Sequence, residues 1–171
     1  MLERFKKITC FIFDMDGVLT DGTILVLNDG QHARKMSIKD GFALQLAIKK
    51  GYAILVVSGS NSDAVVQRLQ KLGVTEVHMG ILDKKQLVAD YLIKNNLHWE
   101  NVLVMGDDIP DLEILKEAGL SCCPLDAVPE VRTISHYISA RNGGDACVRD
   151  VIEKVLRCND HWSFDKEIAS A

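Results

Sequence analysis

Ile8-Thr9-Cys10-Phe11-Ile12-Phe13-Asp14-Met15-Asp16-Gly17 is an uncharged apolar run that ends in two carboxylates and a glycine. A short continuous apolar run of this kind reads as a strand buried on both faces. Such a strand is a costly place to finish with two acids, because like charges this close resist joint ionisation unless a cation or a proton intervenes. On an extended backbone Met15 points away, so Asp14 and Asp16 emerge toward one side, and Gly17 lets the chain turn. The pair suits a metal-assisted site, with one acid as nucleophile and the other as acid/base. Taken alone, it can equally be an acidic strand-to-loop junction.

Strand-like and helix-like segments alternate from there on. Ala53–Val57, Thr75–His78, Asn101–Met105, Leu120–Cys123 and His136–Ile138 read as strands. Asp40–Lys50, Asn61–Leu72, Asp83–Asn96, Ile109–Ala118 and Asp145–Leu156 carry helical periodicity, and Gly51, Gly73 and Gly119 close three of them. The alternation predicts an α/β fold, a doubly wound, Rossmann-like and mainly parallel sheet. One domain is expected over residues 1–158, followed by a loosely ordered tail, 159–171. The segment 23–37 breaks the pattern. Its two arms flank Asn28-Asp29-Gly30, a hairpin turn signal, and the first arm, Thr23-Ile24-Leu25-Val26-Leu27, is apolar enough to predict packing on another subunit.

The chain has 171 residues and a formal charge of −4 with no clustered lysine or arginine, which gives nucleic-acid binding no support. No apolar stretch reaches membrane-spanning length, and the N-terminus lacks the features of a signal peptide, so the expected location is the cytosol. The five cysteines form no CxxC pair and read as reduced and structural, and the histidines show no zinc spacing.

Ligands of open parallel sheets bind beyond the carboxyl ends of the strands. There the sequence places Asp14 and Asp16, then Ser58-Gly59-Ser60 ahead of a helix, then Gly106-Asp107-Asp108-Ile109-Pro110-Asp111. A hydroxyl and free N–H groups at a helix start suit a phosphate oxygen. Lys84 opens a helix, where an ammonium is unfavourable unless an anion offsets it. Each of these residues singly could be a cap or a solvated charge; together, on one sheet edge, they read as a site.

Asp14-Met15-Asp16-Gly17-Val18-Leu19-Thr20-Asp21-Gly22, Ser58-Gly59, Lys84 and Gly106–Asp111 resemble the four motifs of the haloacid dehalogenase superfamily of phosphatases. The hairpin, Lys39-Asp40-Gly41, Gly80 and Gly143-Gly144 resemble its small branch without a cap domain, over residues 7–156. The resemblance implies a Mg²⁺-dependent phosphatase acting on an eight-carbon sugar-acid phosphate in lipopolysaccharide precursor synthesis, with a nine-carbon acid as the alternative substrate. Asp14 would be the nucleophile that becomes an aspartyl phosphate, and Asp16 the acid and then the base. Mg²⁺ would lie on Asp14, the carbonyl of Asp16, and Asp107. Ser58, Gly59 and Lys84 would hold the phosphoryl group, with Asp111 and Asp108 behind them. Asp40, Ser60 and Arg149 are candidates for the sugar acid. The resemblance also implies a homotetramer in which hairpin 23–37 covers a neighbouring site. The sequence departs from the pattern at Ser60, where an arginine is usual, and in Asp145–Arg149 after the paired glycines. A phospho-accepting receiver would need an aspartate where Val57-Ser58-Gly59 stands, and a retired oligomerisation domain would have no use for the full set of charges.

Overall fold

The computed structural model describes residues 1–163. In chain order the main elements are α1 (Leu2–Lys7), β1 (Cys10–Phe13), β2 (Leu25–Val26), β3 (His32–Ala33), α2 (Ile38–Lys49), β4 (Ala53–Val57), α3 (Asp63–Lys71) and β5 (Glu76–His78). They continue with α4 (Lys84–Lys94), β6 (Val102–Met105), α5 (Leu112–Glu117), β7 (Leu120–Cys123), α6 (Pro129–Ile134), β8 (Tyr137–Ile138) and α7 (Cys147–Cys158).

Six strands form one sheet in the order β5-β4-β1-β6-β7-β8, and every pairing is parallel. β1 lies in the middle, and the chain winds outward from it in both directions, which makes the sheet doubly wound. All four residues of β1 are buried, so its side chains serve both layers. Phe11 and Phe13 pack with Leu44 and Ala47 of α2, Leu69 of α3 and Val151 and Val155 of α7. Cys10 and Ile12 pack with Val88 and Leu92 of α4, Leu115 of α5 and Val131 of α6. Full burial of each such phenylalanine or isoleucine contributes about 1.5–3 kcal/mol. Among the described residues no helix is long and apolar enough to cross a membrane, and no second domain covers the strand ends.

The hairpin forms where its turn signal stands. Gly30, at φ +83°, closes the turn, and Asp29 Oδ1 accepts from the N–H of Gln31. β2 and β3 are two residues each and form a separate small sheet, tied back to the domain by a bridge between Thr20 and Met36. Leu25 and Val26 are 64% and 66% exposed in the single chain.

Two short helices, α1 and α6, were not anticipated. Six residues each hold too little periodicity to be seen. The helix expected from Ile109 starts as a tight turn, Ile109–Asp111, before α5. The tail is ordered at its beginning. His161 bonds Tyr52 through Nδ1 at 2.9 Å, and Trp162 packs edge-on against Phe42. Residues 164–171, the rest of the expected tail, lie outside the described residues.

Candidate active site

β4, β1 and β6 are adjacent, and their carboxyl ends deliver Ser58, Asp14 and Asp107 to one place. This is the switch point of the sheet, where the connections leave in opposite directions and open a crevice. The cavity there is about 340 Å³. Asp14, Asp16, Ser58, Gly59, Ser60, Lys84, Asp107, Asp108 and Asp111 all line it, with Leu82 and Pro110 at its edge.

Lys84 is the first residue of α4 and is buried. Its Nζ donates to Asp14 Oδ1 at 2.6 Å and to Asp111 Oδ1 at 2.7 Å. Burial works against its charge, but Asp111 and Asp14 outweigh that and hold the ammonium above the usual lysine value. Asp111 Oδ2 accepts from the N–H of Asp107 at 3.1 Å, so one carboxylate positions both the lysine and the acidic loop. Asp108 is exposed and caps the turn through Ile109 N–H at 2.7 Å.

Carboxylate oxygens of Asp14, Asp107 and Asp111 lie within 4.8 Å of one another. One ammonium cannot balance three acids. Burial first, and Asp111 second, push Asp14 up to about 7 despite Lys84. Burial, then Asp14 and Asp111, push Asp107 up to about 8. A cluster of oxygen donors short of positive charge fits a hard divalent cation such as Mg²⁺.

The turn that follows β1 has a fixed shape. Gly17 sits at φ +86°, and a Cβ there would collide with the Asp107 carboxylate. Behind the turn, Gly144 N–H donates to the carbonyl of Val18 at 3.0 Å, and Cys147 Sγ–H donates to the same oxygen at 3.2 Å. A Cβ on Gly143 would overlap the carbonyl of Gly17. The paired glycines are thus required by close backbone approach.

Asp16 is held by a residue that sequence reasoning missed. Arg34, one residue beyond β3, donates from Nε to Asp16 Oδ1 at 2.8 Å and from Nη2 to Asp16 Oδ2 at 3.3 Å. Ser60 Oγ donates to Asp16 Oδ2 at 2.6 Å. Burial opposes ionisation of Asp16, but the hydrogen bonds from Arg34 and Ser60 outweigh it and hold this carboxyl below its usual value. Where the resemblance sets an arginine this chain has Ser60, and the guanidinium beside Asp16 is that of Arg34 in the hairpin. The one signal for it was the alternation that places Arg34 on the same face as Met36, which pairs with Thr20.

Two expected residues are elsewhere. Asp40 is buried between α2 and α7, where its Oδ1 accepts from Arg149 N–H at 2.6 Å and its Oδ2 has no partner. Burial pushes it up to about 7. Arg149 lines a different cavity of about 440 Å³, beside Lys39 and Lys154. Its guanidinium lies 5.3 Å from the Trp162 ring and 3.3 Å from Glu153. Neither residue reaches the pocket of its own chain; both join helices.

A family model of haloacid dehalogenase-like hydrolases matches residues 76–152. The 3-deoxy-D-manno-octulosonate 8-phosphate phosphatase of Escherichia coli K12 is 30% identical over 156 residues, 91% of this chain and 83% of that protein. The crystal structure of the Yersinia pestis phosphatase of the same name superposes with a TM-score of 0.91 at 28% identity, covering 94% of this chain and 86% of that one. The Moraxella catarrhalis phosphatase, in complex with a magnesium ion, a phosphate ion and a KDO molecule, gives 0.90 at 29% identity, covering 94% and 92%.

Proposed function

This chain belongs to the haloacid dehalogenase-like hydrolases, on the branch of the 3-deoxy-D-manno-octulosonate 8-phosphate phosphatases, and from that membership we propose that it hydrolyses an eight-carbon sugar-acid phosphate to the free acid and phosphate. It is a phosphoric monoester hydrolase. The observation that supports the phosphatase mechanism is the convergence of Asp14, Asp16, Ser58 and Lys84 on one pocket beside the acidic cluster, and the sugar acid is drawn from the similar phosphatases.

Mg²⁺ is the cofactor, and Asp14, Asp107 and the carbonyl of Asp16 are the groups to hold it. When bound, it cancels the negative charge that would repel an incoming phosphate. Asp14 attacks phosphorus, and the bond to the sugar oxygen breaks as that oxygen takes a proton from Asp16. Asp16 then removes a proton from a water, which attacks the aspartyl phosphate and regenerates Asp14. Ser58, the N–H of Gly59 and Lys84 hold the phosphoryl oxygens while charge builds on them.

The assembly is a homotetramer in which hairpin 23–37 covers a neighbouring site. Support comes from the exposed apolar arm and from Leu82, 99% exposed at the pocket edge, which gives such an arm an apolar surface to meet. Five free cysteines fit a reducing cytosol. There the product feeds lipopolysaccharide precursor synthesis.

Phosphate release with Mg²⁺, measured side by side from 3-deoxy-D-manno-octulosonate 8-phosphate and 2-keto-3-deoxynononate 9-phosphate, tests the substrate. Preference for the eight-carbon ester is expected. Preference for the nine-carbon ester moves the enzyme to nonulosonate synthesis, and no release from either overturns the sugar-acid assignment.

A further inference from the structure

The side chain of Arg34 is 5% exposed, although the hairpin that carries it stands out from the domain. Besides its two bonds to Asp16, its Nη2 reaches Ser60 Oγ at 3.5 Å. Thr20 Oγ1 donates to Asp16 Oδ1 at 3.3 Å. Each oxygen of Asp16 therefore accepts twice, Oδ1 from Arg34 and Thr20, Oδ2 from Arg34 and Ser60. A carboxylate has about four lone-pair sites, so Asp16 is saturated.

An acid/base whose acceptor sites are all taken by donors can neither carry the proton it must give to the leaving oxygen nor take one from a water. One donor has to withdraw. Thr20 is fully buried in the turn, and Ser60 follows directly on Ser58 and Gly59 of the phosphate loop. Arg34 differs: it has a long stem and stands on an element whose strands pair only with each other, apart from the Thr20–Met36 bridge. A guanidinium also needs an anion to go to, because a buried cation without a partner is costly. Its fork matches a carboxylate bidentately, and a sugar acid brings one.

We propose that Arg34 is a specificity-determining residue: the carboxylate of the substrate's leaving group takes the guanidinium over from Asp16, and this exchange frees Asp16 to act on the ester oxygen. The inference rests on the phosphatase reading above. A phosphate ester without a carboxylate leaves Arg34 in place and turns over slowly, so discrimination is exerted through release of the acid/base as well as through binding.

The test compares wild type, Arg34→Ala and Arg34→Lys with Mg²⁺ on 3-deoxy-D-manno-octulosonate 8-phosphate and on sorbitol 6-phosphate, an alkyl phosphate whose leaving group is neutral. Thermal melting of each variant checks the fold. In Arg34→Ala, kcat/KM for the sugar acid is expected to fall about 10- to 100-fold, the worth of a charged hydrogen-bonded pair. For sorbitol 6-phosphate kcat is expected to rise. Arg34→Lys keeps the charge without the fork and should recover only part of the preference. Equal losses on both esters mean that Arg34 merely supports Asp16, and unchanged rates mean that it has no role; either overturns the inference while the phosphatase reading stands. A wild-type preference for sorbitol 6-phosphate also overturns it. If wild type releases phosphate from neither ester, the phosphatase reading itself fails and the inference falls with it.

Discussion

Lys84 Nζ stands 2.6 Å from Asp14 Oδ1, and this contact joins the start of α4 to the end of the central strand. The lysine is also 2.7 Å from Asp111, so it is shared between the nucleophile and the carboxylate that holds the acidic loop. A side chain placed against its own helix dipole is kept there by two anions. Position and charge at this point are a single arrangement.

Lys84→Ala removes the only ammonium from that arrangement. Loss of one donor to a developing phosphoryl charge costs about 100- to 1,000-fold in kcat. The buried acids left behind can still take protons at low pH, so destabilisation should be small near pH 5 and grow toward pH 8. Steady-state kinetics and urea melts at both pH values check this. A loss of stability that does not change with pH would contradict it.

Metal binding should release protons. In the metal-free protein Asp14 is raised to about 7 and Asp107 to about 8. Raised carboxyl values mean that folded-state stability is full below the unfolded value near 3.8 and declines as pH climbs through 7 and 8. Apparent Mg²⁺ affinity should therefore rise from pH 6 to pH 8 and level off above. Calorimetry in two buffers of different ionisation enthalpy measures the protons released. Zero release at pH 7 would contradict the assignment. Chelation should abolish turnover and lower the melting temperature most at high pH.

Asp40→Asn tests a buried acid remote from the pocket. Asp40, with Oδ2 unpartnered, is raised to about 7 by burial. The wild-type protein thus loses stability between the unfolded value and 7 as pH rises, by about 2–4 kcal/mol across that window. The amide keeps an oxygen for Arg149 N–H and carries no charge. Its pH–stability profile should be flatter, and the variant should be the more stable of the two at pH 8. Parallel profiles would refute this account.

Leu25→Asp combined with Val26→Asp places charges on the exposed arm of the hairpin. If the arm covers a neighbouring site, sedimentation should show smaller assemblies, and kcat/KM for the sugar acid should fall about tenfold or more while the monomer still melts cooperatively. An unchanged sedimentation coefficient would remove the hairpin from the interface.

The central strand was legible because a strand buried on both faces must be apolar throughout, and Cys10–Phe13 is. The pocket was legible because parallel strands end on one edge, so Asp14, Ser58 and Asp107 could be brought together without knowing any distance. Arg34 was not legible. Its partner Asp16 is 18 residues away, and their meeting depends on how the hairpin folds back across Thr20. Asp40 and Arg149 stand near suggestive motifs in sequence, but α2 and α7 pack directly against each other and turn both residues to that contact. Helices α1 and α6 owe their form to tertiary packing, with Phe5 and Val131 as their buried anchors.

The catalytic turn is backed by a segment made more than a hundred residues later, since Gly144 and Cys147 both bond the carbonyl of Val18. During synthesis, every acid of the pocket and its lysine leave the ribosome before that backing exists. A chain cut ahead of Gly143 owns the whole chemical inventory, yet the turn bearing Asp16 has nothing behind it. A molecule that lacks this segment is therefore expected to hydrolyse phosphate esters poorly, although it carries every acid of the pocket and its lysine.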